Sequence, residues 1–253
     1  MPDAFTIALL AVAALGAGTV DAIAGGGGLI TVPALLAAGL PTHAALATNK
    51  GQSVWGSGAA MLTFWRHGRL DLAKARVTFP LGLLGACGGT AAVLAVSPDA
   101  LRPIVIGMLV FAVVVLLVRK PERASDHPVA HRLAKAGAIA LVIGAYDGFF
   151  GPGTGTFLIV GFVVICGETP TAATADAKVV NFASNCAALT LFAIERRVIW
   201  RIALPMAAAQ LCGGFLGAKL AVKGGARLVR GMVVVVSLAL CAKLARDLYL
   251  SGW

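Results

Sequence analysis

Apolar stretches of bilayer-crossing length recur along this sequence, over residues 4–38, 43–65, 77–97, 101–118, 133–166, 171–194, 198–221 and 228–250. About 20 apolar residues cross a hydrocarbon core as one helix. Hydrocarbon offers the backbone no hydrogen-bond partner, so eight such windows predict an all-α polytopic membrane protein. Charge supports this: only 13% of the 253 residues are charged, while 59% are hydrophobic. A soluble enzyme or a Gly- and Ala-rich Rossmann domain would lack polar surface at that composition. A disordered chain would carry more charge. The first and fifth windows are too long for one simple span, and each has a glycine cluster near its middle. The first has neither a basic leading segment nor a convincing cleavage site, and reads as retained membrane structure.

The net charge of +10 would suggest nucleic acid in a soluble protein, but its placement argues against that. Nineteen of the 21 Lys and Arg residues fall in connections or at window ends, in groups such as Arg66, Arg69, Lys74 and Arg76, or Arg119, Lys120, Arg123, Arg132 and Lys135. This is the pattern of cytoplasmic connections beside anionic headgroups. Membrane lipid is therefore an expected partner and nucleic acid is not. The five cysteines lie in apolar context without metal spacing, so neither a metal site, a disulfide framework nor a cofactor is expected.

The chain also contains itself twice. Asp21-Ala-Ile-Ala-Gly25-Gly-Gly27-Gly28 matches Asp147-Gly-Phe-Phe-Gly151-Pro-Gly153-Thr-Gly155, and Ala47-Thr-Asn-Lys50 matches Ala175-Asp-Ala-Lys178, at separations of 126 to 128. Pro80 then pairs with Pro205, and Cys87-Gly-Gly89 with Cys212-Gly-Gly214. These matches predict an N-terminal repeat over 1–118, a central cytoplasmic loop over 119–132 and a C-terminal repeat over 133–253. Duplicated bundles with interrupted segments are a transporter signature. If the long windows cross once, the repeats are parallel. If they fold into hairpins, the repeats are inverted. Unwound backbone is tolerated where it lines a cavity, and the glycine clusters favour the hairpin.

Lys50 and Lys178 are the two basic residues placed well inside apolar windows. An ammonium there costs at least about 2.5 kcal/mol unless it has a partner, a wet cavity or an anionic ligand. Either the lysines pair internally, with Asp21, Asp147 or Asp176, or they supply positive charge to an anion pathway. Asn49, Gln52 and Ser53 share a helix face by their spacing, as do Lys178, Asn181 and Asn185, and such faces suit cavity lining or helix–helix hydrogen bonding. Gly25, Gly26, Gly27 and Gly28, with Gly153, Thr154 and Gly155, let backbone approach a ligand or a neighbouring helix. Asp21, Asp147 and Asp176 are candidates for proton coupling, or for capping and pairing. His43 and His67 lie near window ends, and no histidine recurs between the repeats. No nucleophile–base–acid set stands out, so the chain is not expected to be an enzyme.

The glycine and Asn-Lys motifs, with Leu29-Ile-Thr-Val-Pro33 and Tyr146 through Phe157, resemble those of the TauE/SafE family of sulfite exporter-like permeases over nearly the whole chain. The resemblance implies a bacterial inner-membrane, multi-pass transporter of sulfite, organosulfonates or related anions. It maps the family's Asn-Lys motif onto Asn49 and Lys50, and its second glycine motif onto Gly151, Gly153 and Gly155. The second half departs from it with Asp176-Ala177-Lys178. Together the readings give alternating access around a small anion, with Lys50 and Lys178 setting the sign of its pathway. An uncoupled anion channel and a membrane scaffold remain as alternatives, and homo-oligomerisation is left open.

Overall fold

The computed structural model describes residues 2–118 and 131–224. The eighth window and most of the central loop lie outside these residues. The other seven windows give nine helices among the described residues. Five come before the central loop: α1 (Ala4–Ala24), α2 (Gly28–Ala37), α3 (Thr42–Arg66), α4 (Leu72–Leu94) and α5 (Pro98–Val118). Four follow it: α6 (Arg132–Phe149), α7 (Thr154–Cys166), α8 (Pro170–Ile194) and α9 (Trp200–Gly224). Of these, α1, α4, α8 and α9 are long and apolar enough to cross a membrane by length and hydropathy.

The count exceeds the number of windows because the two long ones are broken. Helix α1 is capped at its start by Asp3, whose carboxylate accepts the Thr6 amide at 2.9 Å. It stops at Gly25, which adopts φ +81° and returns its N–H to the Asp21 carbonyl. That left-handed turn costs glycine nothing and costs other residues roughly 1–2 kcal/mol. The fifth window breaks at Phe150–Gly153, with Gly151 and Gly153 both at positive φ. Each break launches a shorter helix, α2 or α7, back along its own side.

Contacts fix the helix directions. The start of α3 meets the residue before α9, the Ile199 amide donating to Thr48 Oγ1 at 3.1 Å. The start of α8 meets the residue before α4, where the Asp71 amide donates to Asp176 Oδ1 at 3.1 Å. In between, Asn185 donates to Ser57 at 3.4 Å. Helices α3 and α8 therefore run antiparallel through the centre. One face of the molecule carries the end of α3 and the starts of α4, α6 and α8. The other carries the start of α3, the end of α8 and the start of α9.

Small residues let the outer helices approach. On α4, a Cβ at Gly85 would strike the Leu141 carbonyl of α6, and one at Gly89 the Ala145 carbonyl. On α9, Gly213 and Gly217 lie equally close to the Leu15 and Thr19 carbonyls of α1. Helices pack in membranes through such small-residue stripes. The outward surface is apolar, with Leu9, Leu84, Leu204 and Leu216 exposed. Trp65 and Trp200 are exposed near opposite faces, where amphipathic rings suit the membrane interface.

Two adjacent glycines test this packing. No atom lies within 4 Å of a Cβ built on Gly88, whereas Gly89 has backbone in the way. Gly89→Ala should lower stability by roughly 1–3 kcal/mol, the usual cost of overpacking. Gly88→Ala should not. Thermal unfolding of the two purified variants checks the contrast.

Candidate substrate site

The two breaks meet at the centre of the molecule. The Thr156 amide of α7 donates to the Gly25 carbonyl at 3.1 Å, and its hydroxyl donates to the Ala24 carbonyl at 2.7 Å. Around this junction lies a cavity of about 20 Å³. One water-sized group fits such a space, and an organic anion requires the walls to move.

Lys50 and Lys178 are both buried, and both are paired. Lys50 donates to Asp147 Oδ1 at 2.7 Å and to Asn185 Oδ1 at 3.1 Å. Lys178 donates to the Asp21 carbonyl and reaches Asp21 Oδ2 at 3.2 Å. The lysine of each predicted repeat thus holds the aspartate of the other. Asp147 also accepts from Thr154 at 3.0 Å and from Ser184. Asp21 pairs and caps at once, since its Oδ1 accepts the Gly27 amide at 3.2 Å. These two lysines and two aspartates cancel formally, so the site carries no net charge.

The polar faces meet the same cavity. Asn49, Ser53, Asn181 and Asn185 line it, with Asp21, Asp147, Gly25, Gly28, Thr154 and Gly155. Asn49 Oδ1 is fully engaged, accepting from Thr31 at 2.6 Å and Gln52 at 2.9 Å. Gln52, Gly26, Gly27, Gly153 and Lys178 stand behind the lining rather than in it. The glycine clusters serve close packing directly: Gly155 touches Gly25, and a Cβ on Gly28 would sit 3.0 Å from Pro152.

Asp176 lies elsewhere. Its partner is Lys74 at 3.1 Å rather than Lys178. Lys74, grouped by sequence with the connections, is in fact buried in the first turn of α4, against Glu168 and 3.4 Å from the centre of the Phe162 ring. Buried lysines therefore number three among the described residues.

Sequence reasoning also missed Gln210 of α9. It lines the cavity, and its Oε1, like Asn181 Oδ1, is buried without a hydrogen-bond partner among the described residues. Gly18 and Gly56 make its space, since a Cβ on either would lie within 3 Å of the Gln210 side chain. A lone glutamine in an apolar window was the available signal.

Comparison with known proteins gives the family. The pattern of the family described as sulfite exporter TauE/SafE matches residues 10–244. This chain belongs to the TauE/SafE family. Its relatives include a probable membrane transporter protein, ORF9, of a Sinorhizobium species, 36% identical over 95% of this chain and 93% of that protein. The probable membrane transporter protein YfcA of Escherichia coli K12 is 37% identical over 98% of this chain and 92% of its own length. A probable membrane transporter protein of Haemophilus influenzae is 36% identical over 92% and 91%. No solved structure matches the chain. The family, the relatives and the apolar helices together make this a membrane transporter.

Proposed function

We propose that this protein is a secondary transporter that carries sulfite, organosulfonates or related small organic anions across the bacterial inner membrane. It would work by alternating access between inverted repeats over 1–118 and 133–253, joined by the connection 119–132. The antiparallel course of α3 and α8, and the two hairpin-like breaks, support the inverted arrangement. Most basic connections then share the face carrying the start of α4, which would be cytoplasmic by the positive-inside rule.

The observation that carries the mechanism is the crossed pairing of Lys50 with Asp147 and of Lys178 with Asp21. Because the site is neutral, a substrate anion gains a lysine only when the aspartate gives up its hold. A proton on Asp147 or Asp21 releases the ammonium and keeps the loaded site neutral. Asn49, Asn181, Asn185 and Ser53 then hold oxygens, with backbone of the glycine-rich breaks beside them. Such a carrier takes a proton with each anion. Its advantage is energetic: one negative charge moved inward against 100 mV, inside negative, costs about 2.3 kcal/mol. Crossing as an anion–proton pair removes that cost.

Proteoliposomes test this with sulfite, taurine, sulfoacetate, aromatic sulfonates and carboxylates, under imposed pH gradients. The expected result is counterflow of at least one sulfur oxyanion, with net flux accelerated in the direction of the proton gradient. Flux without counterflow at saturating substrate would leave a channel. Flux indifferent to the pH gradient would remove the proton from the mechanism. No flux of any anion would leave a scaffold.

A further inference from the structure

The two ends of the molecule repeat one another in backbone contact but not in chemistry. At one end the Ile199 amide donates to Thr48 Oγ1, and at the other the Asp71 amide donates to Asp176 Oδ1, both at 3.1 Å. Thr48 and Asp176 are 128 residues apart, as are Asp71 and Ile199. The same separation relates Leu40 to Glu168 and Lys74 to Ile202. Leu40 and Ile202 are buried together in an apolar cluster with Leu10, Leu35 and Met206. Their counterparts Glu168 and Lys74 form an ion pair, joined by Asp176 at 3.1 Å from Lys74. One end is closed by hydrocarbon and the other by charge.

We propose that Lys74, Glu168 and Asp176 form the gate on the face carrying the start of α4, and that the Leu40–Ile202 cluster closes the opposite face. The proposal rests on the alternating-access reading and adds the identity of its two gates. Three observations carry it. First, the ionic cluster lies on the surface side of the central site. Along α8 the order is Asn185 and Asn181 in the cavity, Lys178 paired to Asp21, then Asp176 near the helix start.

Second, the cluster ties three elements that must part if that face opens. Lys74 belongs to α4, Asp176 to α8, and Glu168 to the connection between α7 and α8. Arg132 of α6 reaches Glu168 Oε1 at 3.3 Å while its own side chain is 47% exposed, so this carboxylate has one partner in the interior and one at the surface. Glu168 Oε2 is buried and has no partner among the described residues. Hydrophobic packing alone would close the face without that unmet oxygen, and its counterpart end does so.

Third, the gate shares a helix with the site. Asp176 and Lys178 are two residues apart on α8, about 3 Å in rise. A shift of α8 that releases Lys178 from Asp21 also strains Asp176 against Lys74. Events at the substrate therefore reach this gate through one rigid element.

Side-resolved labelling tests the assignment. The protein is prepared with its five cysteines replaced and Ser53→Cys added as a cavity reporter. A membrane-impermeant maleimide is applied to vesicles of each orientation, without substrate. Glu168→Gln should speed labelling from the α4-start face by on the order of tenfold, because losing one partner of a buried pair weakens the closed state. Labelling from the other face should stay unchanged. Leu40→Ala should do the reverse. Asp176→Asn, which keeps the Lys74–Glu168 pair, gives the same sidedness as Glu168→Gln and serves where that variant does not fold. Unchanged rates in both gate variants, or rises equal on both faces, would overturn the proposal. The readout needs no substrate, so loss of the anion-transport reading in flux assays would be a separate result.

Discussion

Lys50→Met is expected to abolish counterflow in proteoliposomes, and to destabilise the protein as it does so. Lys50 is buried, and its ammonium holds Asp147 at 2.7 Å. Removing it leaves that carboxylate with only the Thr154 and Ser184 hydroxyls. Breaking a buried ion pair from one side typically costs about 3–5 kcal/mol, because the remaining charge is uncompensated. A loss of flux in this variant alone would therefore be ambiguous. The double variant Lys50→Met with Asp147→Asn separates the two effects. Both charges are gone, so most of the thermal stability should return, while flux should remain lost because the anion has no ammonium to exchange onto. Thermal unfolding in detergent gives the first quantity and counterflow the second. Recovery of both in the double variant would reduce Lys50 to a structural pair.

Much of this arrangement was legible in the sequence, for identifiable reasons. Hydropathy windows located the helices because hydrocarbon penalises polar residues one at a time, in linear order. The two glycine clusters located the breaks, since each needs backbone that other residues strain to adopt. Lys50 and Lys178 were recognisable because nothing apolar nearby could account for them. Linear order failed where tertiary contacts decide. Lys74 sits at a window edge and reads as a surface charge, yet the connection after α7 brings Glu168 over it. Asp176 is near Lys178 in sequence, but two residues on a helix do not share a face, so it serves Lys74 instead. Register was also misjudged locally. The pairing of Cys87-Gly-Gly89 with Cys212-Gly-Gly214 follows composition. The carbonyls that the glycines approach instead align Gly85 with Gly213 and Gly89 with Gly217. In that register Gln210 of α9 would correspond to Gly82 of α4, so the proposed repeats would differ there by one amide side chain.

Gly25→Ala should be the most damaging single methyl in the described core, and the comparison with Gly16→Ala shows why. Both residues end up as alanine beside or within α1. A Cβ on Gly16 meets no atom within 4 Å, so that change should be neutral, or gain about 0.5–1 kcal/mol from helix propensity. Gly25 sits at φ +81°, and a Cβ there would fall on the Gly155 and Thr156 backbone. The left-handed strain of roughly 1–2 kcal/mol adds to an overpacking cost of roughly 1–3 kcal/mol. Backbone cannot rotate away as a side chain could. Gly155→Ala probes the same contact from α7 without the φ penalty: its Cβ would lie 2.5 Å from Gly25 Cα and 2.9 Å from Asn181 Nδ2. Stability should therefore fall in the order Gly16→Ala, Gly155→Ala, Gly25→Ala. Flux should fall further than stability in Gly155→Ala, because the added methyl presses on a cavity residue at the junction of the two breaks. If Gly25→Ala unfolds no earlier than Gly16→Ala, the two breaks do not meet at the centre, and the crossed lysine–aspartate pairs lose the framework that aligns them.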